Sequence, residues 1–132
     1  PEETYTHVYQ SESDDYGRTW AEARRINLWG HPAHLTLLNS GLILCTFGHR
    51  RKPFEIRASY SDDDGGSWNP PGGKILRDGG CNEDLGYPKS IVLEDGTIFT
   101  AYYFNATLNN KSEDYYTYVA GSFYTEEWLK EK

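Results

Sequence analysis

Apolar and polar residues alternate along most of the chain in short runs, and turns rich in Gly, Asp, Asn and Pro separate these runs. Alternation with a period of two is typical of strands whose two faces meet different surroundings. The pattern predicts an all-β fold of antiparallel strands and no helix. The predicted strands lie near residues 5–11, 20–28, 34–39, 42–48, 55–61, 74–78, 87–93, 98–105 and 115–124.

Two internal repeats organise these strands. The first octet (residues 13–20) and the second octet (residues 61–68) both match the pattern S-x-D-x-G-x-[ST]-W. A strand–turn–strand pattern also occurs twice, with its turn glycine at Gly41 and at Gly96. Both repeats recur after about 50 residues, which is the length of one four-stranded sheet in a β-propeller. The spacing therefore predicts propeller blades.

The composition of the octets is explained if each one closes a hairpin between two strands. Their glycines supply positive φ angles, their central aspartates accept hydrogen bonds from turn amides, and their tryptophans pack between neighbouring sheets. An acidic run at 62–64 resembles a calcium ligand set, but we interpret it as a solvated turn. The predicted structural residues are Ser13, Asp15, Gly17, Trp20, Ser61, Asp63, Gly65 and Trp68.

The repeats divide the chain into parts of three blades within one partial propeller domain, residues 1–132. Residues 1–30 form the end of one blade, residues 31–80 a complete blade, and residues 81–132 most of a further blade. The tail at 124–128 is interpreted as a degenerate octet that has lost its Asp and Gly. A propeller closes into a ring, and this chain is too short to close one alone. Self-association through open blade edges is therefore a possible partner interaction.

Charge and composition limit the partners. A formal net charge of −7 disfavours nucleic acid and anionic membranes. No apolar run is long enough to cross a bilayer, and the first residues show no signal peptide, although a secreted or periplasmic parent protein stays open. Cys45 and Cys81 could pair or stay free, two buried thiols being favoured over a disulfide, and neither has metal-ligand spacing. No metal or cofactor is expected.

The order of several segments adds a family resemblance. The octets, with segments 48–58, 84–90, 95–98 and 102–103, resemble the sialidase (neuraminidase) superfamily of BNR or Asp-box repeat proteins. This resemblance implies a six-bladed propeller with antiparallel four-stranded blades, of which the chain would be roughly the C-terminal half. It also implies a glycoside hydrolase acting on terminal sialic acid or a related sugar of a glycan. Because Asp boxes also occur in non-enzymatic propellers, a carbohydrate- or protein-binding propeller is the alternative.

The resemblance assigns a catalytic candidate. Sialidases use a tyrosine nucleophile in a short Gly/Ala-Tyr-Ser-type segment, and Tyr87, between Gly86 and Pro88, falls where that segment is expected. A neutral phenol avoids the repulsion that a charged nucleophile meets beside the sugar carboxylate. The alternative for Tyr87 is an ordinary tyrosine at the end of a strand.

The resemblance also assigns substrate-binding candidates. The family holds the sialic-acid carboxylate with three arginines, and the third precedes an Asp box. Arg50 or Arg51 falls there, although residues 50–52 can also be read as a solvated basic turn. Arg57 fits less well. His34 and His49 are either sugar contacts or structural histidines, and Asp84 either lines the pocket or caps a turn.

Several groups that the family needs are absent from this sequence. The first two arginines, the acid and the glutamate that activates the tyrosine come from earlier blades in the family. Where the family often has Tyr-Glu, this chain has Tyr103-Phe104. The 132-residue chain alone is therefore expected to be inactive, and a sugar other than sialic acid stays open.

Overall fold

The computed structural model describes residues 7–111 and 113–132 and confirms an all-β chain of antiparallel sheets. Residues 5 and 6 of the first predicted strand lie outside the described residues. The elements are β1 (His7–Gln10), β2 (Arg24–Trp29), β3 (Ala33–Leu37), β4 (Ile43–His49), β5 (Phe54–Ser61), β6 (Asn69–Gly80), β7 (Gly86–Val92), β8 (Ile98–Thr107), β9 (Tyr115–Tyr124) and helix α1 (Glu126–Lys130).

The strands form three sheets, and within each sheet neighbours in sequence are neighbours in space. The first sheet contains β1 and β2, the middle sheet has the order β3-β4-β5-β6, and the third sheet has the order β7-β8-β9. Every pairing is antiparallel. Turns and loops connect the strands within each sheet, and the longest of them, residues 11–23, joins β1 to β2 and contains the first octet.

The middle sheet is covered on both faces. Towards the first sheet, Cys45 and Phe47 of β4 pack against Ile26 and Leu28 of β2. Towards the third sheet, one cluster joins Leu44 and other middle-sheet residues to Ile98 and Tyr124, and a second cluster joins Ile56 to Leu85, Tyr102 and Phe104. Because both faces of β4 are buried, its residues form a nearly continuous apolar run rather than an alternating one.

Each octet closes a hairpin with the same hydrogen bonds. In the second octet, Ser67 donates its N–H (2.7 Å) and its hydroxyl (2.7 Å) to Asp63, and the Ser61 hydroxyl donates to Asp63 at 2.8 Å. In the first octet, Thr19 and Ser13 donate to Asp15 in the same way. These bonds lower the pKa of each aspartate to about 2. The aspartates are thus occupied within their own turns.

The second octet is also tied to the first sheet. Gln10 of β1 donates to the Gly65 carbonyl oxygen at 2.9 Å and accepts from the Trp68 indole N–H at 2.9 Å. Trp68 is buried between the first and middle sheets, as expected. Trp20 differs from the expectation, because it is 64% exposed and donates only to the Gly17 carbonyl of its own turn.

The tail is a correction to the sequence interpretation. We expected a degenerate octet at 124–128 and no helix, but Glu126–Lys130 forms a short helix whose N-cap is Thr125. The Thr125 hydroxyl accepts from the Trp128 N–H at 3.1 Å, which is the usual N-cap bond. None of the helices in the described part of the chain is long and apolar enough to cross a membrane.

Both cysteines are free thiols, as the sequence favoured. Cys45 is buried on β4, and this burial raises the pKa of its thiol to about 12. Cys81 is half-buried and donates to the Asn105 side chain. In the described ranges 7–111 and 113–132, no three His, Cys, Asp or Glu side chains are grouped to hold a metal ion.

Candidate functional site

The candidate site lies where two glycines let the middle and third sheets approach closely. A Cβ added to Gly48 would lie 3.1 Å from the Gly86 Cα and 3.1 Å from the His31 carbonyl oxygen. The His31 N–H donates to the Gly48 carbonyl oxygen at 3.0 Å. A Cβ at Gly48 would therefore be in unusually tight contact with main-chain atoms on both sides. The contact brings Tyr87, the residue after Gly86, close to Arg50, which lies two residues after Gly48.

Arg50 is the central residue of the candidate site. Its Cζ lies 5.4 Å from the centroid of the Tyr87 ring, and its Nη2 donates a long hydrogen bond of 3.4 Å to the Tyr103 hydroxyl. Its Nε is buried and has no hydrogen-bond partner among the described residues. The Gly86 backbone lies directly beside the guanidinium, since a Cβ at Gly86 would be 3.2 Å from Nη2. Part of the hydrogen-bonding capacity of this half-buried guanidinium is therefore not used by the described residues.

Tyr87 presents its phenol to solvent. The side chain is 64% exposed, and the backbone has the left-handed φ of 48°, which is rare for a residue with a side chain. The following Pro88 disfavours helical backbone further. Holding such a residue costs about 1–3 kcal/mol, and strain of this kind clusters at functional sites.

Asp84 is linked to Arg50 through Tyr103, and its carboxylate accepts hydrogen bonds from two tyrosine hydroxyls. Its carboxylate accepts from the Tyr103 hydroxyl at 3.0 Å and from the Tyr115 hydroxyl at 2.8 Å. Burial and then the Asp84 hydrogen bond raise the pKa of Tyr103, while Arg50 acts in the opposite direction. The hydrogen bond to Asp84 also raises the pKa of Tyr115. Both phenols therefore remain protonated donors at neutral pH.

Asn105 of β8 fixes the loop that carries Asp84. Its buried side-chain amide donates to the carbonyl oxygens of Asn82 (3.1 Å) and Asp84 (2.8 Å), and its oxygen accepts from the Cys81 N–H at 2.8 Å. Asn82 in turn accepts from the Asp84 N–H at 2.9 Å. Asn82, and not Asp84, therefore closes this turn.

His31 adds an exposed imidazole at the edge of the site. Partial burial and the nearby positive charge of Arg50 lower the pKa of His31. A lowered pKa leaves the ring neutral at pH 7, and a neutral imidazole both donates and accepts hydrogen bonds. His31 is therefore suited to contact a sugar hydroxyl.

The structure brings together three of the residues that the sequence predicted for the site, Tyr87, Arg50 and Asp84. Arg51 instead lies over the Trp29 ring, 4.0 Å from its centroid. Arg57 pairs with Glu55 at 2.7 Å and donates to the Gly72 carbonyl at 3.1 Å.

The two histidines weighed as sugar contacts have partners within the protein. His34 accepts from the Ser90 N–H at 3.4 Å, which links β3 to β7. His49 is buried, with its Nδ1 at 2.7 Å from the Pro53 carbonyl oxygen. Both contacts are structural.

Sequence reasoning missed Tyr103, Tyr115, His31 and Asn105 as site residues. Tyr103 directly precedes Phe104, and its sequence neighbourhood gives it no role of its own. A usable signal was the register of alternation along β8, which places Tyr103 on the opposite face from the buried Tyr102 and Phe104. No signal in the sequence distinguished Tyr115 from the other tyrosines.

Comparison with known proteins adds fold information. No protein-family model matches the chain, and no curated protein matches it. The crystal structure of a protein of unknown function from Dyadobacter fermentans DSM 18053 is similar, with a TM-score of 0.76 and 27% sequence identity. The match covers 89% of this chain and 31% of that chain, so this chain spans about a third of the length of that protein.

Proposed function

We propose that this chain is part of a sialidase-like β-propeller glycoside hydrolase that acts on terminal sialic acid or a related acidic sugar of a glycan. The arrangement of the sheets supports the propeller. The sheets pack face to face in a row, the middle one has four consecutive strands, and each octet joins two neighbouring strands. Radially repeated four-stranded sheets are the plan of a six-bladed propeller, of which residues 31–80 would be one blade.

The observation that carries the function is the pairing of Arg50 with an exposed tyrosine. Arg50 lies 5.4 Å from the Tyr87 ring and retains a buried Nε without a partner among the described residues. A guanidinium binds a sugar carboxylate through two parallel hydrogen bonds. A carboxylate bound at Arg50 would place the neighbouring anomeric carbon near the Tyr87 phenol.

The proposed reaction proceeds with retention of configuration. The Tyr87 oxygen forms a bond to the anomeric carbon while the bond from that carbon to the leaving oxygen breaks. The leaving oxygen takes a proton from an acid, and the phenolic proton passes to a carboxylate. Other segments of a longer protein would supply both groups. Water then adds its hydroxyl to the anomeric carbon while the bond from that carbon to the Tyr87 oxygen breaks. The second proton of the water passes to the conjugate base of the acid, and the carboxylate returns the phenolic proton to Tyr87.

The test uses a longer protein that contains this chain and a fluorogenic sialoside or a related glycoside. We expect turnover by the parent protein, loss of at least a hundredfold in kcat for Tyr87→Phe, and no turnover by the 132-residue chain alone. Tyr16→Phe is the control, because Tyr16 is fully exposed in the first octet. Full activity of the Tyr87→Phe variant would refute the nucleophile assignment.

One observation favours a second candidate, a non-catalytic carbohydrate- or protein-binding propeller. Phe104 occupies the position where the family often has a glutamate, and it is 1% exposed within the cluster of Ile56, Leu85 and Tyr102. No carboxylate can therefore brace an arginine from this position. Binding on a glycan array by the longer protein, without release of product from the same glycans, would favour this candidate.

A further inference from the structure

We propose that Tyr103 is a positioning residue that fixes Arg50 for a carboxylate ligand, with Asp84 orienting the Tyr103 hydroxyl. This inference rests on the proposed function for the identity of the ligand. The arrangement of the protein groups is independent of that identity.

The hydrogen bonds define the direction of the Tyr103 proton. An ionised carboxylate accepts hydrogen bonds and donates none. Tyr103 therefore donates its proton to Asp84 at 3.0 Å and turns its lone pairs towards Arg50, whose Nη2 lies 3.4 Å away. Tyr115 donates to the other Asp84 oxygen at 2.8 Å and prevents the carboxylate from rotating. The raised pKa of Tyr103 keeps this proton in place at neutral pH.

The arrangement matters because an arginine side chain has many rotamers. Ordering one before the ligand arrives lowers the entropic cost of binding. Tyr87 and the Gly86 backbone limit where the guanidinium can lie, while Tyr103 supplies the directional contact. Asp84 contacts the Tyr103 phenol and not the ligand, so its negative charge stays away from the bound carboxylate. Tyr103→Phe removes the link but keeps the ring.

The matched control is a second tyrosine–arginine pair outside the site. Tyr118 of β9 accepts from Arg77 Nη2 at 3.0 Å, so Tyr118→Phe removes the same kind of bond elsewhere. Because both variants keep the aromatic ring, each is expected to fold.

The first measurement needs no ligand. In ¹⁵N NMR of the full chain, the buried Arg50 Nε–H should exchange slowly with water. We expect exchange at least five times faster in Tyr103→Phe and in Asp84→Asn, and an unchanged rate in Tyr118→Phe. Equal rates in the parent chain and in Tyr103→Phe would overturn the positioning role.

The second measurement titrates the methyl glycoside of N-acetylneuraminic acid and its uncharged methyl ester into the same proteins. Tyr103→Phe should weaken binding of the acid about five- to tenfold and leave the ester unchanged. A purely structural role would weaken both, and an unchanged preference for the acid would overturn the inference. If the unsubstituted 132-residue chain binds neither compound, the titration is repeated with the longer protein: no binding there refutes the proposed function, while the exchange rates still decide the role of Tyr103.

Discussion

At the scale of single residues, Gly48 and Gly86 allow the close approach on which the candidate site depends. Together they let two backbones from different sheets meet, and this contact aligns a guanidinium with a phenol. The two glycines act differently. Gly86 has a φ of 132°, so its conformation requires glycine, whereas Gly48 is required by the lack of space alone.

Gly48→Ala tests this contact. The added Cβ would meet main-chain atoms of Gly86 and His31, which cannot move as a side-chain tip can. We expect a loss of about 1–3 kcal/mol in the free energy of unfolding, measured with urea, and weaker binding of acidic sugars.

The control for that experiment is Gly96→Ala. Gly96 has a φ of 89° and open space around it, so alanine there introduces backbone strain without crowding. It should lower stability but leave sugar binding as in the parent chain. Equal sugar binding by both glycine variants would show that the backbone contact does not shape the site.

At the scale of elements, each octet is a hairpin closure stabilised by one ionised aspartate. The pKa of Asp63 is lowered to about 2 from an ordinary 3.8, chiefly by hydrogen bonds from Ser67 and Ser61. A lowered pKa in the folded state means that the ionised form stabilises the fold. This stabilisation is complete above pH 4 and is lost as the pH falls towards 2.

Asp63→Asn is therefore expected to lower stability at pH 7, because an amide oxygen cannot accept all of these hydrogen bonds. The difference in unfolding free energy between the parent chain and the variant should shrink as the pH falls from 4 to 2. Chemical denaturation across this range measures it. Asp62→Asn, at an exposed neighbouring residue, should change little. A pH-independent difference would contradict the assignment.

Most of the strands and both octet hairpins could be predicted from the sequence. Alternation located the strands, and the repeated octets located two hairpins. The helix was missed because five residues are too few for periodicity, although Thr125, the acidic Glu126 and Glu127, and Lys130 are ordinary helix signals. Tyr103, Tyr115 and His31 could not be predicted as one site, because their meeting depends on packing between sheets.

At the scale of the whole molecule, the third sheet, at one end of the row, has an exposed apolar face, whereas the middle sheet is covered on both faces. The outer face of the third sheet carries the exposed side chains of Ile91, Val119 and Phe123, and Phe99 packs against Phe123 with 4.7 Å between ring centroids. In the described residues, β9 pairs only with β8, so its other edge is open. Open edges and apolar faces favour association.

We therefore expect the isolated 132-residue chain to associate as its concentration rises, as measured by light scattering or sedimentation. Phe123→Lys should shift the chain towards monomer by placing a charge on the apolar face. Leu108→Lys changes an exposed leucine in the loop after β8 and should have little effect. A parent chain that stays monomeric at high concentration would contradict the expectation.

The hydrogen bonds of Gln10 have a consequence for how the sheets are oriented. The Gln10 side-chain amide joins β1 to the Gly65 carbonyl and the Trp68 indole of the second octet. Between the middle and third sheets, the main chains of Gly48 and Gly86 lie in close contact. The first junction uses one core side chain, the Trp68 indole, and the second uses main-chain atoms. Substitutions among the apolar residues other than Trp68 should therefore alter stability more than the tilt from one sheet to the next.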